Sequence, residues 1–144
     1  MNGLAAMQAI ATGAVPPPPI GGLIGMKLVE VKPGEALFEL QAERRHANPM
    51  GTLHGGILCD LGDGAMGCAV ATTLEEGQSY TTLELKINFF KPVWTQRLTA
   101  RGRVLKRTRR LAYAEAEILD EQGSLVAKLS GSCLLLDGEE GAGR

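Results

Sequence analysis

The stretch Asn48-Pro-Met-Gly-Thr-Leu-His54-Gly55-Gly56-Ile-Leu-Cys-Asp60-Leu-Gly-Asp63-Gly-Ala-Met-Gly-Cys-Ala-Val-Ala-Thr-Thr73 joins a polar, glycine-rich loop to the one long helical pattern of the chain. Apolar residues recur in it with helical spacing, at Leu58, Leu61, Ala65, Met66, Ala69 and Val70. The pattern predicts that the helix begins at His54-Gly55-Gly56, where backbone N–H groups have no partner inside the helix. Because such a helix end favours negative charge, the loop is a candidate site for a developing oxyanion.

The rest of the chain is typical of strands that have one apolar and one polar face. In the segment 79–90, we expect Leu83, Leu85, Ile87 and Phe89 on one face, and Thr82, Glu84, Lys86 and Asn88 on the other. One long helix with such strands favours an α+β fold, in which an antiparallel sheet wraps around the central helix. The predicted strands are 26–31, 36–41, 79–90, 98–106, 111–119 and 125–136.

Proline and glycine mark the limits of a single predicted domain. Residues 1–19 are expected to form an N-terminal arm, with a short or frayed helix before the prolines 16–19. Residues 20–136 form the domain itself, and 137–144 are expected to be a disordered tail. Glu75-Glu76-Gly77-Gln78 is expected to cap the central helix, with glycine at its C-terminal end.

Composition excludes several classes of partner. The chain has 144 residues with 15 basic and 16 acidic side chains, so nothing in its charge predicts nucleic acid or an anionic membrane. Three cysteines without ligand spacing and two histidines argue against a metal site. Without a run of about 18 apolar residues or a secretory signal, a cytoplasmic protein with no membrane span is expected.

Three glycines interrupt the predicted helix, and each costs about 1 kcal/mol relative to alanine. Gly62, Gly64 and Gly67 therefore need a compensating interaction. Close packing of the sheet against the helix is the simpler explanation. Close approach of a ligand is the alternative.

The spacing of Asn48, His54-Gly55-Gly56 and Asp63 resembles that of the hotdog-fold acyl-CoA thioesterases of the phenylacetate-pathway, or PaaI-like, type. The strand Thr81–Pro92 and the four prolines before Gly-Met-Lys-Leu-Val-Glu-Val are also similar, so the resemblance covers about residues 16–136. It implies a curved sheet around one helix, assembly into a homodimer or homotetramer, and hydrolysis of an acyl-CoA thioester without metal or cofactor.

The resemblance also implies roles for individual residues. Gly55 would be the main oxyanion donor, helped by Gly56, because a backbone N–H meets the charge that builds on the carbonyl oxygen. Asp63 would be the general base on water, or a nucleophile that forms a transient anhydride. Asn48 would bind the carbonyl or the water, His54 would orient the loop or polarise the carbonyl, and Thr82 would hold the water.

Helix geometry places a constraint on these roles. Gly55 and Asp63 are eight residues apart, which is about 12 Å at 1.5 Å per residue. If both act on one bond, they must come from different chains, so the active site would lie at a dimer interface. Asp60 competes with Asp63 for the carboxylate role. Cys59, in the first turns of the helix, is better explained as a small buried side chain than as a nucleophile with a lowered pKa.

Basic residues supply a candidate site for the coenzyme A phosphates. Arg107, Arg109 and Arg110 lie at a hairpin tip, and Lys91 is a further candidate, although a solvated turn would look the same. The function predicted is hydrolysis of an aromatic or medium-chain acyl-CoA. A non-catalytic acyl-CoA or small-molecule binding module on the same fold is the alternative, and a hotdog hydratase is a weaker one.

Overall fold

One central helix organises the molecule. The computed structural model describes residues 1–142, with helices α1 (Gly3–Ala11), α2 (Pro19–Ile24) and the central α3 (Gly55–Ala71). Six strands form one sheet in the order β1-β2-β4-β5-β6-β3, and all neighbours are antiparallel. This is the expected hotdog fold. The strands are β1 (Met26–Lys32), β2 (Glu35–Gln41), β3 (Gln78–Phe89), β4 (Arg97–Arg107), β5 (Leu111–Leu119) and β6 (Leu125–Asp137).

The sheet approaches the helix closely, as the glycines predict. A Cβ on Gly102 of β4 would collide with the backbone carbonyl of Ala65, so the two backbones touch there. On the helix, Gly62 faces Leu129, and Gly67 faces the ring of Tyr80. Close packing therefore accounts for these glycines and offsets their cost in helix propensity.

Strand β3 departs from the predicted alternation. Its register against β6 shifts between Thr82 and Glu84, so Leu83 is a bulge residue without a partner. Leu83 and Phe89 are exposed, whereas Leu85 and Ile87 pack against the core. Leu85, Ile87 and Phe89 share one face as expected, but the placement of Leu83 on that face and of Thr82 on the opposite one was wrong, because alternation does not continue through a bulge.

The C-terminal end of the helix also differs from the prediction. Helix α3 ends at Ala71 with Thr72 as its C-cap, and Gly77 (φ 84°) lies in the turn that enters β3. The Thr72 hydroxyl donates to the Ala69 carbonyl at 2.7 Å and accepts from the Gly34 N–H at 2.8 Å. These bonds stabilise the helix end without glycine.

The terminal segments are attached to the domain. The Gly3 N–H donates to the Leu74 carbonyl at 2.9 Å, which places α1 beside the C-terminal end of α3. A 3-10 helix, Gly138–Gly141, follows β6 where disorder was expected; residues 143 and 144 of that predicted tail lie outside the described residues. None of the helices within 1–142 has the length and apolar character that crossing a membrane requires.

Candidate functional site

The N-terminus of α3 carries one half of the candidate site. His54 is the N-cap residue, and its Nδ1 accepts a hydrogen bond from the Gly56 N–H at 2.8 Å. The Gly55 N–H has no acceptor within residues 1–142. Of the two glycine amides expected to face an oxyanion, Gly56 is thus committed to the cap, and Gly55 is the available donor. Because His54 Nδ1 accepts, the neutral ring carries its proton on Nε2.

The loop before the helix is held by its own side chains. Asn48 accepts from the Met50 N–H at 2.9 Å and donates to the Thr52 hydroxyl at 2.7 Å. These bonds form a turn, which is what asparagine before proline favours. Both polar groups of the Asn48 amide are therefore engaged inside the loop in a single chain, and its contact with substrate stays a prediction.

His46 is a supporting residue that the sequence did not single out. It is buried, its Nδ1 accepts from the Glu43 N–H at 3.0 Å, and its Nε2 lies 2.7 Å from the Ile24 carbonyl. Its own carbonyl accepts from the His54 N–H at 2.9 Å. His46 thereby ties α2 to the residue that caps α3. One histidine near a glycine-rich loop gives no sequence signal for such a role.

Asp63 carries the second half of the site. Burial raises the pKa of the Asp63 carboxyl above its usual value, the Thr82 hydroxyl opposes that shift, and the nearby Asp60 carboxylate adds to it. Burial also raises the pKa of Asp60. A carboxylate with a raised pKa in apolar surroundings is a candidate general base or nucleophile.

The β3 bulge brings Thr82 to this carboxylate. Thr82 pairs with the buried Cys133 before the bulge, and its Oγ1 lies 3.9 Å from the Cys133 Sγ. After the bulge, Leu85 pairs with Gly131 and packs against the core. Thr82 and Leu85 therefore lie on the same face although they are three positions apart in the sequence. Bulges of this kind commonly redirect a side chain beside a functional site.

Asp63 and Gly55 open into different cavities of one chain. Gly55 lines an open groove of about 410 Å³, in which the Phe89 ring lies against it. Asp63 lines a more enclosed cavity of about 320 Å³ that extends toward the N-terminal helices. One chain thus provides both chemical groups without bringing them to the same point, which agrees with the separation of about 12 Å along the helix.

The basic residues divide into two places. Lys91 lines the Gly55 groove and pairs with the buried Asp120 carboxylate at 2.6 Å, a contact that holds the pKa of Asp120 below its usual value. Arg107 donates to the Thr73 carbonyl at 3.4 Å, beyond the C-terminal end of α3. The helix between Gly55 and that end has 17 residues, so the hairpin tip lies about 25 Å from Gly55 of the same chain.

The other two arginines of the tip are exposed. Arg110 pairs with Glu140 at 3.2 Å, and Arg109 lies beside it. A single chain therefore does not bring the hairpin tip to its own Gly55 groove. If these arginines hold coenzyme A phosphates, they must do so from a partner chain.

The cysteines do not suit nucleophilic chemistry. Burial raises the pKa of Cys59, and the carboxylates of Asp60 and Asp63 raise it further. Burial raises the pKa of Cys68 to about 12. Because the thiolate is the reactive form, these surroundings argue against a nucleophilic Cys59, although its side chain is only partly buried and not fully buried as expected.

Comparison with known proteins identifies the family. Residues 50–127 match the model of the thioesterase superfamily. A putative esterase of Saccharolobus solfataricus is 33% identical over 113 residues, which cover 78% of this chain and 80% of the relative. Human acyl-coenzyme A thioesterase 13 is 29% identical over 103 residues, covering 70% and 73%.

A solved structure gives the same result. A putative thioesterase from Ralstonia eutropha, described as related to phenylacetic acid degradation, superposes with a TM-score of 0.82 at 28% identity, over 89% of this chain and 98% of that one. The fold, the matched segment and the relatives agree. The chain belongs to the thioesterase superfamily and is a thioester hydrolase of the hotdog fold.

Proposed function

We propose that this protein hydrolyses an aromatic or medium-chain acyl-CoA to the free acid and coenzyme A. The observation that carries the proposal is the pairing of two features that thioester hydrolysis needs. One is the Gly55 N–H at a helix N-terminus, which has no hydrogen-bond acceptor among residues 1–142. The other is the Asp63 carboxyl, with a raised pKa, beside the Thr82 hydroxyl. The similarity to an acyl-coenzyme A thioesterase supports the choice of substrate class.

The chemistry divides between these groups. The Gly55 N–H would bind the carbonyl oxygen as it gains charge, and one such donor contributes about 3–4 kcal/mol. Asp63 would take a proton from water as the hydroxide adds to the carbonyl carbon, and the proton would leave with the coenzyme A thiolate. In the alternative, the Asp63 carboxylate attacks the carbonyl carbon, and the C–S bond breaks to release the coenzyme A thiolate. Water then hydrolyses the anhydride to the free acid and the Asp63 carboxylate, and the proton from water goes to the thiolate. Both routes need the Asp63 carboxylate ionised and close to the oxyanion donor.

The two groups must therefore come from two chains. A homodimer, or a homotetramer built from dimers, would place Gly55 of one chain against Asp63 and Thr82 of another. Closed two-fold symmetry gives two identical sites in such a dimer. Arg107, Arg109 and Arg110 could then reach coenzyme A bound at a partner's Gly55, and Lys91 could reach it from the groove itself.

The first experiment is a thiol-release assay against acyl-CoAs of different chain length and ring content. Asp63→Asn should abolish turnover while the protein stays folded and assembled. Gly55→Pro removes the N–H without breaking the helix, because Gly55 is the first helical residue and His54 already has the extended ψ of 133° that precedes proline. We expect Gly55→Pro to lower kcat by about 100- to 1,000-fold.

Gly55→Ala is the matched control, because it keeps the N–H and adds a Cβ of the kind proline also carries, 3.0 Å from the Phe89 ring. Equal losses in Gly55→Ala and Gly55→Pro would mean that packing against Phe89 matters and the N–H does not. Wild-type turnover in Asp63→Asn would contradict the assigned carboxylate, and Asp60 would then be tested.

Subunit mixing tests whether two chains build one site. Asp63→Asn and Gly55→Pro chains, each inactive alone, would form one intact site in every mixed dimer. Random exchange should restore roughly a quarter of wild-type activity, because half of the dimers are mixed and each has one working site of two. No recovery after verified exchange would place both groups in the same chain's site.

A further inference from the structure

An enclosed, mostly apolar cavity in the described part of the chain begins at the proposed catalytic carboxylate. The cavity of about 320 Å³ runs along one stripe of α3, from Asp60 and Asp63 past Gly64 to Ala71. Asp63 and Ala71 are eight residues apart, so the cavity extends about 12 Å beyond the carboxylate. The N-terminal segment forms another part of the wall, through Met7 and Ile10 of α1 and Pro17 and Pro18.

The chemistry of the walls changes along this length. The carboxyl groups of Asp60 and Asp63 lie at one end, and apolar side chains such as Met26, Leu28 and Phe38 line the space beyond them. A site with polar groups at its mouth and an apolar interior suits a ligand whose reactive end is polar and whose tail is hydrocarbon. An acyl group attached to a thioester has this form.

The volume limits the size of the tail. An apolar cavity of about 150 Å³ accommodates a benzene ring, with six carbons. The same ratio gives about twelve carbons for this cavity, so it would hold a linear tail of about 8 to 12 carbons or one ring on a short linker. Short acyl groups would leave much of the apolar wall without contacts.

The far wall is only lightly attached to the domain. Helix α1 has no fully buried residue, and Met7 and Ile10 are partly buried where they pack on the core. Gly3 fixes the start of α1 at Leu74, so Met7, one turn later, lies near the Ala71 end of the cavity. The side chains of α1 thus set the depth of the cavity without forming the hydrophobic core.

We infer that the N-terminal helix α1 closes the acyl pocket, and that Met7 and Ile10 determine the length of acyl tail the enzyme accepts. This inference rests on the proposed function. It assigns the residues before the domain to substrate selection, and it assigns the tail of the substrate to the chain that supplies Asp63. Gly55 and its groove, on the facing chain, would hold the carbonyl oxygen and the coenzyme A side.

Side-chain size at Met7 provides the test. Met7→Trp should fill the end of the cavity and lower kcat/KM for a 12-carbon acyl-CoA by about tenfold relative to a 4-carbon one. Met7→Ala should raise kcat/KM for the 12-carbon acyl-CoA relative to the 4-carbon one. Gln8→Trp is the matched control, because Gln8 is exposed on the same helix and should leave the ratio unchanged. Circular dichroism verifies that each variant is folded.

A binding measurement separates the two proposals. Calorimetry with dodecanoic acid should show binding to the wild type and to Gln8→Trp, and weaker binding to Met7→Trp by about tenfold. If the wild type releases no thiol from any acyl-CoA yet binds the acid in this pattern, the proposed function fails and the pocket assignment stands. If the wild type is active but Met7→Trp lowers kcat/KM by the same factor for every acyl chain length, the pocket assignment fails.

Discussion

At the level of residues, two carboxyl groups on one face of α3 are the proposed source of the chemistry. Asp60 and Asp63 are three positions apart, and burial raises the pKa of both. Each lines the apolar cavity. The like charge of Asp60 raises the pKa of Asp63 further, whereas the Thr82 hydroxyl lowers it. The ionised form of Asp63 is therefore less favourable than that of an ordinary aspartate, and pH should reveal this.

The pH profile of kcat/KM should have an acid limb above the ordinary aspartate pKa of 3.8, because both proposed mechanisms need Asp63 ionised. Asp60→Asn removes a like charge and should move the limb to lower pH. Thr82→Val removes the hydroxyl that favours the carboxylate and should move it to higher pH. Thiol-release rates measured across the acid range check both directions. A limb that disappears in Asp60→Asn would assign the essential carboxylate to Asp60.

Thermal unfolding provides an independent control on the same group. A carboxyl whose folded pKa is raised favours the folded state below the unfolded value, and this stability is lost as pH rises through the folded pKa. Asp63→Asn should therefore raise the melting temperature at neutral pH and have little effect near pH 3. A lower melting temperature at neutral pH would show that the carboxylate contributes to folding as well as to the proposed reaction.

At the level of elements, close packing of α3 against the sheet has a measurable consequence. Gly102→Ala should destabilise the protein by about 1–3 kcal/mol, because its Cβ would collide with the Ala65 carbonyl of the buried helix backbone. Gly64→Ala is the contrast. Its Cβ would lie 3.3 Å from the flexible Met26 Cε, and alanine gains about 1 kcal/mol in helix propensity. Urea unfolding of both variants measures the difference, and equal changes would refute the packing explanation.

Most element boundaries could be predicted from the sequence because turns and alternation repeat along the chain. The predicted strands end within one residue of those observed, and the helix begins at the predicted glycines. The faces of β3 could not be predicted, since a bulge at Leu83 depends on pairing with β6. Nothing in the pattern Thr82-Leu83-Glu84-Leu85 signals the irregularity that turns Thr82 toward Asp63.

The candidate site was predictable only in part for a similar reason. The resemblance supplied Asp63 and Gly55, but the His54 bond to Gly56 depends on a side-chain orientation that spacing does not fix. The sequence predicted a phosphate site at the basic hairpin tip that contains Arg107. Its distance from Gly55 follows from the path of β4 and β5 relative to α3, which the sequence does not specify.

At the level of the whole molecule, strand β3 connects the two halves of the site. It is an edge strand of the sheet in the described chain, and its Leu83 and Phe89 are exposed, as is Phe90 directly after it. Thr82 lies at the Asp63 end of β3, and Phe89 lies against Gly55. The β3 strands of two copies could pair antiparallel about a two-fold axis that passes between Thr82 and Phe89. This pairing would place one chain's Gly55 near the other's Asp63. It would also cover an exposed apolar edge.

Leu83→Lys should therefore weaken assembly and turnover together, because an edge lysine disfavours strand pairing. We expect light scattering to show monomer at micromolar concentration and thiol release to fall at least tenfold, with activity rising again at higher protein concentration. Leu23→Lys is the control, since Leu23 is 72% exposed on α2, away from β3. A monomeric Leu83→Lys protein with wild-type turnover would contradict a site shared between chains. An assembled but inactive one would place Leu83 at the reaction itself, because pairing alone would then not explain the loss.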